Sequence, residues 1–252
     1  MVEALLLGAG FIALGAGIGM VGGVFGIGGG AVAIPVLGLL CGLDQQTAQG
    51  TALVMIVPNV LLSFWRYRQQ GNVDLRIAAT LALFALLSTY PAARYATGLD
   101  PRILRLAFAG FLGVFAAIIA HRALARPRPV PRRPLHWEWS AALGIAGGIV
   151  SGFFGVGGAL IAPPALTAWF GVRQAEAQGL ALALVTPGAI VAFIAYAEAG
   201  KIEWPVGLPM ALGGMLSVSL GVALAYRLPE RRMRLVFACL LVATSCLLAL
   251  RS

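Results

Sequence analysis

Long apolar stretches separated by short polar segments make up most of this chain. Six of them, at residues 46–64, 75–94, 103–119, 180–199, 206–226 and 235–250, have about the length of a membrane-crossing helix. A helix needs about 20 apolar residues to cross a hydrocarbon core of roughly 30 Å. Two more stretches, 5–40 and 140–170, are interrupted by glycines, and each is long enough for one crossing and a shorter second piece. The pattern predicts an all-α polytopic membrane protein.

The composition agrees with this pattern. Of 252 residues, 60% are hydrophobic and only 11% are charged, and the mean hydropathy is +0.92, far from the values of an average soluble domain. The formal net charge of +9 comes from Lys and Arg residues that lie between the apolar stretches. In these places, positive charges indicate membrane topology rather than a nucleic-acid-binding face. No Lys or Arg precedes the first apolar run, so we expect no cleaved signal peptide. We expect a multi-pass protein of the inner cell membrane.

A sequence repeat divides the chain into two halves. FGIGGGAVAIP at residues 25–35 returns as FGVGGALIAPP at residues 154–164, 129 positions later. The same offset, without a gap, aligns Gly15 with Gly144, Gly19 with Gly148, Gly23 with Gly152, Gln49 with Gln178, Pro58 with Pro187, Tyr67 with Tyr196 and Ser88 with Ser217. Agreement of this length is not expected by chance. The sequence therefore predicts two homologous halves, each with about four membrane segments, one of them a glycine-broken or re-entrant helix.

A basic connector separates the halves and indicates their orientation. We assign residues 1–120 to a first transmembrane repeat, 121–138 to a connector rich in Pro and Arg, and 139–252 to a second transmembrane repeat. Positively charged loops stay on the cytoplasmic side, so we place the connector there. Arg227 and Arg231 then also lie inside if the halves are inverted, whereas the basic loop 94–105 would lie outside. The balance of charges predicts inverted repeats.

The glycine runs at the start of each repeat are candidates for a binding site. Backbone inside a bilayer must satisfy its own hydrogen bonds, so a helix break at that depth persists only where protein or water covers it. A helix that starts there offers N–H donors and the positive end of its dipole to an anion. In secondary transporters, such breaks in inverted repeats meet near the midplane. The candidate substrate-binding glycines are Gly26, Gly28, Gly29, Gly30, Gly155, Gly157 and Gly158.

Other glycines and a few polar residues have different predicted roles. The GxxxGxxxG series within residues 15–23, like its mate in the second half, is typical of close helix packing. Gln49, Gln178 and Asn59 lie inside apolar stretches and are further candidates for substrate contact, since an amide can donate to an oxyanion. The glutamines are equally suited to interhelical hydrogen bonds. Asn59 is equally suited to bond with carbonyl groups that Pro58 leaves without a donor.

These motifs resemble those of a known family. The paired FGIGGG and FGVGG motifs with a following proline, the stretches GT at 50–51 and GNVD at 71–74, and the basic central loop resemble the sulfite exporter TauE/SafE family of anion permeases. The resemblance covers nearly the whole chain and implies transport of small sulfur-containing anions, such as sulfite or organosulfonates. Members often carry a hydroxyl residue after the glycine in the third segment of each half. Thr51 matches that position and joins the candidate substrate-binding residues, but Leu180 stands at the equivalent place, so the implied site is asymmetric.

The titratable residues argue against an enzyme or a metal transporter. Both histidines lie in the connector and the carboxylates lie at the ends of apolar stretches, so the membrane segments offer neither a catalytic base nor a cluster of metal ligands. Cys41, Cys239 and Cys246 fall in apolar segments, and we expect no disulfide. We expect no cofactor, no metal and no nucleic-acid partner. The expected partners are the lipid bilayer and a small anionic substrate. The sequence leaves open whether the protein forms a homodimer.

Two other functions fit the same features. Electropositive helix ends can line a passive anion channel as well as a carrier. A non-transporting membrane scaffold also needs only apolar helices. The charged residues identify no coupling ion and no direction of transport. The preferred hypothesis is a permease that binds its anion at the two glycine breaks between the repeats.

Overall fold

Long helices and a few short ones make up the regular structure. The computed structural model describes residues 2–70, 74–124, 137–156, 158–172 and 174–249, and these ranges contain no strand. The first half comprises α1 (Val2–Phe25), α2 (Gly30–Cys41), α3 (Gln45–Gln70), α4 (Leu75–Thr97) and α5 (Pro101–Leu124). The second half comprises α6 (Trp137–Phe154), a 3₁₀ turn (Gly158–Leu160), α7 (Ala162–Trp169), α8 (Gln174–Glu198), α9 (Trp204–Ala225) and α10 (Glu230–Ala249).

Among the described residues, six helices are long and apolar enough to cross a membrane. They occupy Leu7–Phe25, Gln45–Gln69, Leu75–Thr97, Pro101–His121, Glu176–Glu198 and Trp204–Ala225. Shorter apolar helices occupy Gly30–Cys41, Glu138–Phe154 and Leu235–Ala249. The prediction of an all-α polytopic membrane protein is therefore confirmed. The crossing predicted at 235–250 corresponds to the shorter apolar part of α10, and the interrupted stretch 5–40 contains one crossing helix and a 12-residue helix.

Aspartates begin three helices of the first half. The carboxylates of Asp44, Asp74 and Asp100 each accept a hydrogen bond from a backbone N–H two or three residues further on, at 2.7, 2.9 and 2.7 Å. A carboxylate in this position pairs one of the N–H groups that the first turn of a helix leaves without an acceptor. These acidic residues therefore define the starts of α3, α4 and α5.

Glycines bring α1 against α9 and α6 against α4. The facing pairs are Gly15 with Met210, Gly19 with Gly214, Gly23 with Val218, Gly144 with Leu81, Gly148 with Ala85 and Gly152 with Thr89. A Cβ added at Gly19 would lie 2.5 Å from the Cα of Gly214, so the two backbones are in direct contact. The packing role predicted for the GxxxGxxxG series is confirmed. Because the residue numbers of the pairs rise together, α1 runs parallel to α9 and α6 runs parallel to α4.

Helices α3 and α8, which are equivalent in the predicted repeat, pack together in opposite directions. Gln49 near the start of α3 contacts Tyr196 near the end of α8. Tyr67 near the end of α3 contacts Gln178 near the start of α8. The two tyrosines are 1% and 0% exposed, so both contacts lie in the interior. This pair of helices forms the centre of the protein.

The connector between the halves is described only at its ends. Helix α5 continues to Leu124 and helix α6 begins at Trp137, so the outer residues of the predicted connector 121–138 are helical. Residues 125–136, which carry most of its prolines and arginines, lie outside the described residues. The helices that flank the connector belong to different packing pairs, since α5 packs on α10 and α6 packs on α4.

Candidate functional site

The glycine run after α1 reverses the direction of the chain. Gly26, Gly28 and Gly29 have φ angles of 67°, 68° and 92°, a region that residues with a side chain rarely adopt. The reversal lays the start of α2 beside α1, and a Cβ added at Gly22 would lie only 2.5 Å from the nitrogen of Gly29. The break predicted from the sequence is therefore a tight turn between α1 and α2. We call residues 26–29 the first glycine turn.

A second glycine turn follows α6. Gly155 has a φ angle of 67°, the same as Gly26 at the equivalent position of the first half. Gly158 begins the 3₁₀ turn, and a Cβ added there would lie 2.6 Å from the Cα of Gly147 in α6, so this turn also folds back on its own helix. Gly157, a candidate from the sequence, lies outside the described residues. We call the described residues 155, 156 and 158 the second glycine turn.

The two glycine turns meet inside the protein. A Cβ added at Gly30 would lie 3.1 Å from the Cα of Val156, so the start of α2 touches the second turn. Ile27 and Val156, which are equivalent residues of the two turns, are 1% and 0% exposed. Gly28 packs against Val60, near the middle of α3. The turns therefore lie at about half the depth of the longest helices, away from both lipid and solvent.

Two reciprocal hydrogen bonds join the halves around these turns. The hydroxyl of Tyr67 donates to Oε1 of Gln178 at 2.7 Å, and the hydroxyl of Tyr196 donates to Oε1 of Gln49 at 2.6 Å. Both hydroxyls also approach carbonyl oxygens in the last turns of α1 and α6, at 3.4 to 3.5 Å. Each tyrosine therefore holds a glutamine of the opposite half next to the end of a helix that leads into a glycine turn.

The two glutamines contact the glycine turns, but only one of their two amide nitrogens has a hydrogen-bond partner among the described residues. A Cβ added at Gly26 would lie 3.3 Å from the Cβ of Gln178, and one added at Gly155 would lie 3.3 Å from the Cβ of Gln49. Nε2 of Gln178 donates to the carbonyl of Phe25 at 3.4 Å. Nε2 of Gln49 is buried and has no hydrogen-bond partner among the described residues. The interhelical role is thus observed for both side chains, and Gln49 retains an unpaired donor.

Thr51 and Asn59 face helix α9 rather than the glycine turns. Oγ1 of Thr51 accepts a hydrogen bond from the backbone N–H of Glu203 at 2.9 Å, beside the start of α9. Asn59 is fully buried and faces Gly214 of α9. Neither Nδ2 nor Oδ1 of Asn59 has a partner within the described part of the chain, so its side chain does not bond there to the carbonyl groups near Pro58.

The structure thus gathers some of the predicted site residues and separates others. The glycines of the described turns, Gln49 and Gln178 form one cluster. Sequence analysis did not identify Tyr67 and Tyr196 as members of it. The available signal was the repeat itself, which places a tyrosine in both halves at the same position of an apolar helix.

The cluster offers neutral hydrogen-bond donors. The first N–H groups of α2 have no acceptor within their own helix, and an amide side chain lies beside each turn. Groups of three or more His, Cys, Asp or Glu residues that could hold a metal ion do not occur in the described ranges. Donors without a negative charge suit an anionic ligand.

Comparisons with known proteins agree with this architecture. Residues 11–248 match the family model described as sulfite exporter TauE/SafE. A probable membrane transporter protein of Xylella fastidiosa (strain Temecula1) is 27% identical over 232 residues, which are 88% of this chain and 87% of the relative. The probable membrane transporter protein YdhB of Bacillus subtilis (strain 168) is 24% identical over 200 residues, 78% of this chain and 82% of the relative. The resemblance found in the sequence is confirmed, and the chain belongs to the sulfite exporter TauE/SafE family of membrane transporters.

Proposed function

We propose that this protein is a permease for small anions, specifically sulfur oxyanions such as sulfite or organosulfonates, and that the anion binds where the two glycine turns meet. One observation carries the proposal. The start of α2 contacts the second glycine turn in the interior, where a Cβ at Gly30 would lie 3.1 Å from the Cα of Val156. Two reversals of the backbone, one from each half, therefore converge at a depth where bilayers tolerate irregular backbone only inside protein.

The hydrogen-bond donors near this contact support an anionic substrate. Helix α2 begins at Gly30, and the N–H groups of Val32 and Ala33 donate to the carbonyl of Gly29. The N–H groups of Gly30 and Ala31, which have no acceptor within the helix, and the positive end of its dipole therefore lie in the interior. Nε2 of Gln49 adds a donor that has no partner among the described residues. A sulfur oxyanion presents three oxygen atoms in different directions and can accept hydrogen bonds from several such donors at once. The family description, which names sulfite, supports the same class of substrate.

The directions of the helices support inverted repeats. Helices α3 and α8 are equivalent and run antiparallel, while α1 runs parallel to α9 and α6 runs parallel to α4. In an inverted arrangement, each helix runs opposite to its equivalent and a pseudo-two-fold axis lies in the membrane plane. A site on this axis can be exposed to each side of the membrane in turn. We therefore propose a carrier that alternates its access rather than an open pore.

Flux into liposomes tests the proposal. The purified protein is reconstituted, and uptake of radiolabelled sulfite, thiosulfate and sulfoacetate is compared with uptake by protein-free liposomes. We expect saturable uptake of at least one of them, accelerated by the same anion inside the liposomes. Flux that neither saturates nor shows this exchange would indicate a passive channel. No flux, together with no anion-dependent rise in melting temperature, would indicate a scaffold, because a ligand at 100 times its Kd stabilises the folded state by about 2.7 kcal/mol.

A glycine variant tests the position of the site. In Gly30→Ala, the new Cβ would lie 2.8 Å from Cδ1 of Ile56 and 3.1 Å from the Cα of Val156, which pushes the two turns apart. Gly17→Ala is the matched control, because a Cβ added at Gly17 meets nothing within 4 Å. We expect the Gly30 variant to lose most of its uptake while the Gly17 variant keeps it. Equal uptake by both variants, at equal protein levels, would show that the anion binds elsewhere.

A further inference from the structure

Polar groups form a line along the second part of α3. Asn59, Ser63 and Arg66 are four and three residues apart, which places them on one helix face over about 10 Å. Asn59 Nδ2 and Oδ1, Ser63 Oγ and Arg66 Nε are all buried and have no hydrogen-bond partner within the described residues. Asn59 and Ser63 are 0% exposed. We call these three residues the polar line of α3.

Unpaired polar atoms in this number need an explanation. More than nine in ten buried polar groups of native proteins are hydrogen-bonded, at least for the backbone, and unpaired ones destabilise the fold. Inside a membrane the penalty persists, and polar residues there commonly mark the pathway of a substrate or ion. The polar line joins three such residues in succession on a single helix. It therefore points to a polar species that contacts this face during function.

The second half lacks the polar line. The residues equivalent to Asn59, Ser63 and Arg66 are Gly188, Ala192 and Ala195. Ala192 and Ala195 are 0% exposed, so apolar methyl groups fill the corresponding positions of α8. The hydroxyl groups of Ser151 and Thr89 face Gly188 from other helices, but α8 itself carries no polar side chain at these three positions, so a helix in this place can pack without them.

Helix α9 runs beside the polar line. Gly207 and Gly214 of α9 face Val54 and Asn59 of α3, so the two helices are parallel. A Cβ added at Gly214 would lie 2.5 Å from Nδ2 of Asn59. The amide therefore occupies the space that any side chain larger than that of glycine would need at this position. The contact directs the amide toward the interface of α3 and α9 rather than toward lipid.

The line ends at the membrane face where α3 and α9 both finish. The ring centroids of Tyr67 and Tyr226, near the two helix ends, are 5.5 Å apart. Cζ of Arg66 lies 5.1 Å from the ring centroid of Trp65, a side chain that is half exposed. Aromatic residues of this kind anchor helix ends at the membrane interface. Arg66 therefore places a positive charge at this end while its Nε lies inside.

We propose that the polar line is a one-sided path for the transported oxyanion, leading from the face where α3 and α9 end to the first glycine turn. This inference rests on the proposed function. The guanidinium of Arg66 pairs with the oxyanion at the outer end, and the hydroxyl of Ser63 and the amide of Asn59 donate to it further in. Val60, next to Asn59, contacts Gly28, so the inner end of the line lies at the level of the first glycine turn. The positive charge of Arg66 disfavours a cation as the occupant.

Cysteine labelling tests the path directly. Ser63→Cys and its mirror control Ala192→Cys are made in a background in which the native cysteines are replaced by alanine. Oriented membrane vesicles are treated with 2-sulfonatoethyl methanethiosulfonate, an anionic reagent that does not cross membranes. Because thiol reaction rates depend on access, we expect the Ser63 variant to react about tenfold or more faster than the Ala192 variant. This reaction should occur from the face that bears Arg66 and should slow in the presence of ethanesulfonate, a sulfur oxyanion that does not itself react with the reagent.

Equal labelling rates, or no labelling of the Ser63 variant from that face, would overturn the path. Labelling does not require transport, so it tests the path separately from the proposed function. Normal sulfite flux in a parent protein whose Ser63 variant does not react would overturn the path and leave the permease assignment intact. Absence of flux in the parent protein would instead count against the proposed function.

A kinetic measurement adds a second test. For Arg66→Gln, we expect the KM for anion supplied from that face to rise about tenfold, equivalent to one charged contact, with a smaller effect from the opposite face. Arg68→Gln is the control, because Arg68 lies on the same helix with an exposed side chain. An unchanged KM in the Arg66 variant would show that this arginine only anchors the helix at the interface, which would overturn the proposed role.

Discussion

Replacing Gly28 with alanine should weaken the first glycine turn through two separate effects. Gly28 has a φ angle of 68°, and a left-handed backbone costs a residue with a Cβ roughly 1–2 kcal/mol. The added Cβ would also lie 2.5 Å from Cγ1 of Val60. Val60 is fully buried, and a β-branched side chain in a helix has one strongly preferred rotamer, so overpacking should cost about 1–3 kcal/mol more. Together the two effects amount to about 2–5 kcal/mol.

Thermal unfolding of the detergent-purified protein measures this effect through the fluorescence of its five tryptophans. A loss of this size should lower the melting temperature of a chain of this length by roughly 10 °C. Gly17→Ala is the control, since its Cβ has open space. Combining Gly28→Ala with Val60→Ala separates the two effects, because the smaller side chain removes the overpacking and leaves the backbone strain.

Two results would refute this reasoning. A Gly28→Ala variant that melts within about 2 °C of the Gly17 control, a shift that corresponds to less than about 1 kcal/mol, would show that the turn adopts another backbone conformation. Additive effects of the Gly28 and Val60 substitutions, without a coupling energy, would show that these two residues are not in contact.

Three further predictions concern the packing of the helices. Tyr67→Phe and Tyr196→Phe each leave a buried glutamine oxygen without its donor, so each should cost about 1–3 kcal/mol in thermal unfolding; no loss in either would mean that the reciprocal bonds do not form. Gly19→Ala forces the backbones of α1 and α9 apart and should cost about 1–3 kcal/mol, again against the Gly17 control, and a melting temperature equal to that of the control would contradict this packing. Asp74→Ala removes the carboxylate that caps α4 and should lower stability by about 0.5–2 kcal/mol, whereas Asp74→Asn should retain most of it.

The sequence alone determined the class of the protein and most of its helices. Apolar stretches such as 75–94 and 206–226 became α4 and α9, because helix length and lipid exposure depend on local composition. The sequence also predicted that Gly19 packs closely against another helix, since small residues at four-residue spacing form one helix face. Both glycine turns were located from the repeat, because adjacent glycines cannot form such a face.

Only the tertiary structure decided what the polar residues contact. Gln49 and Tyr196 are 147 positions apart, and nothing in either neighbourhood identifies the other as its partner. Asn59 was expected either to contact the substrate or to bond with the carbonyl groups near Pro58, yet its amide has no partner in the described ranges. Thr51, another candidate for substrate contact, accepts a hydrogen bond at the start of α9. The physical reason is that a hydrogen bond between helices depends on their relative position and direction, which the packing of the whole chain sets. Composition and spacing act locally, whereas these contacts exist only once the two halves have come together.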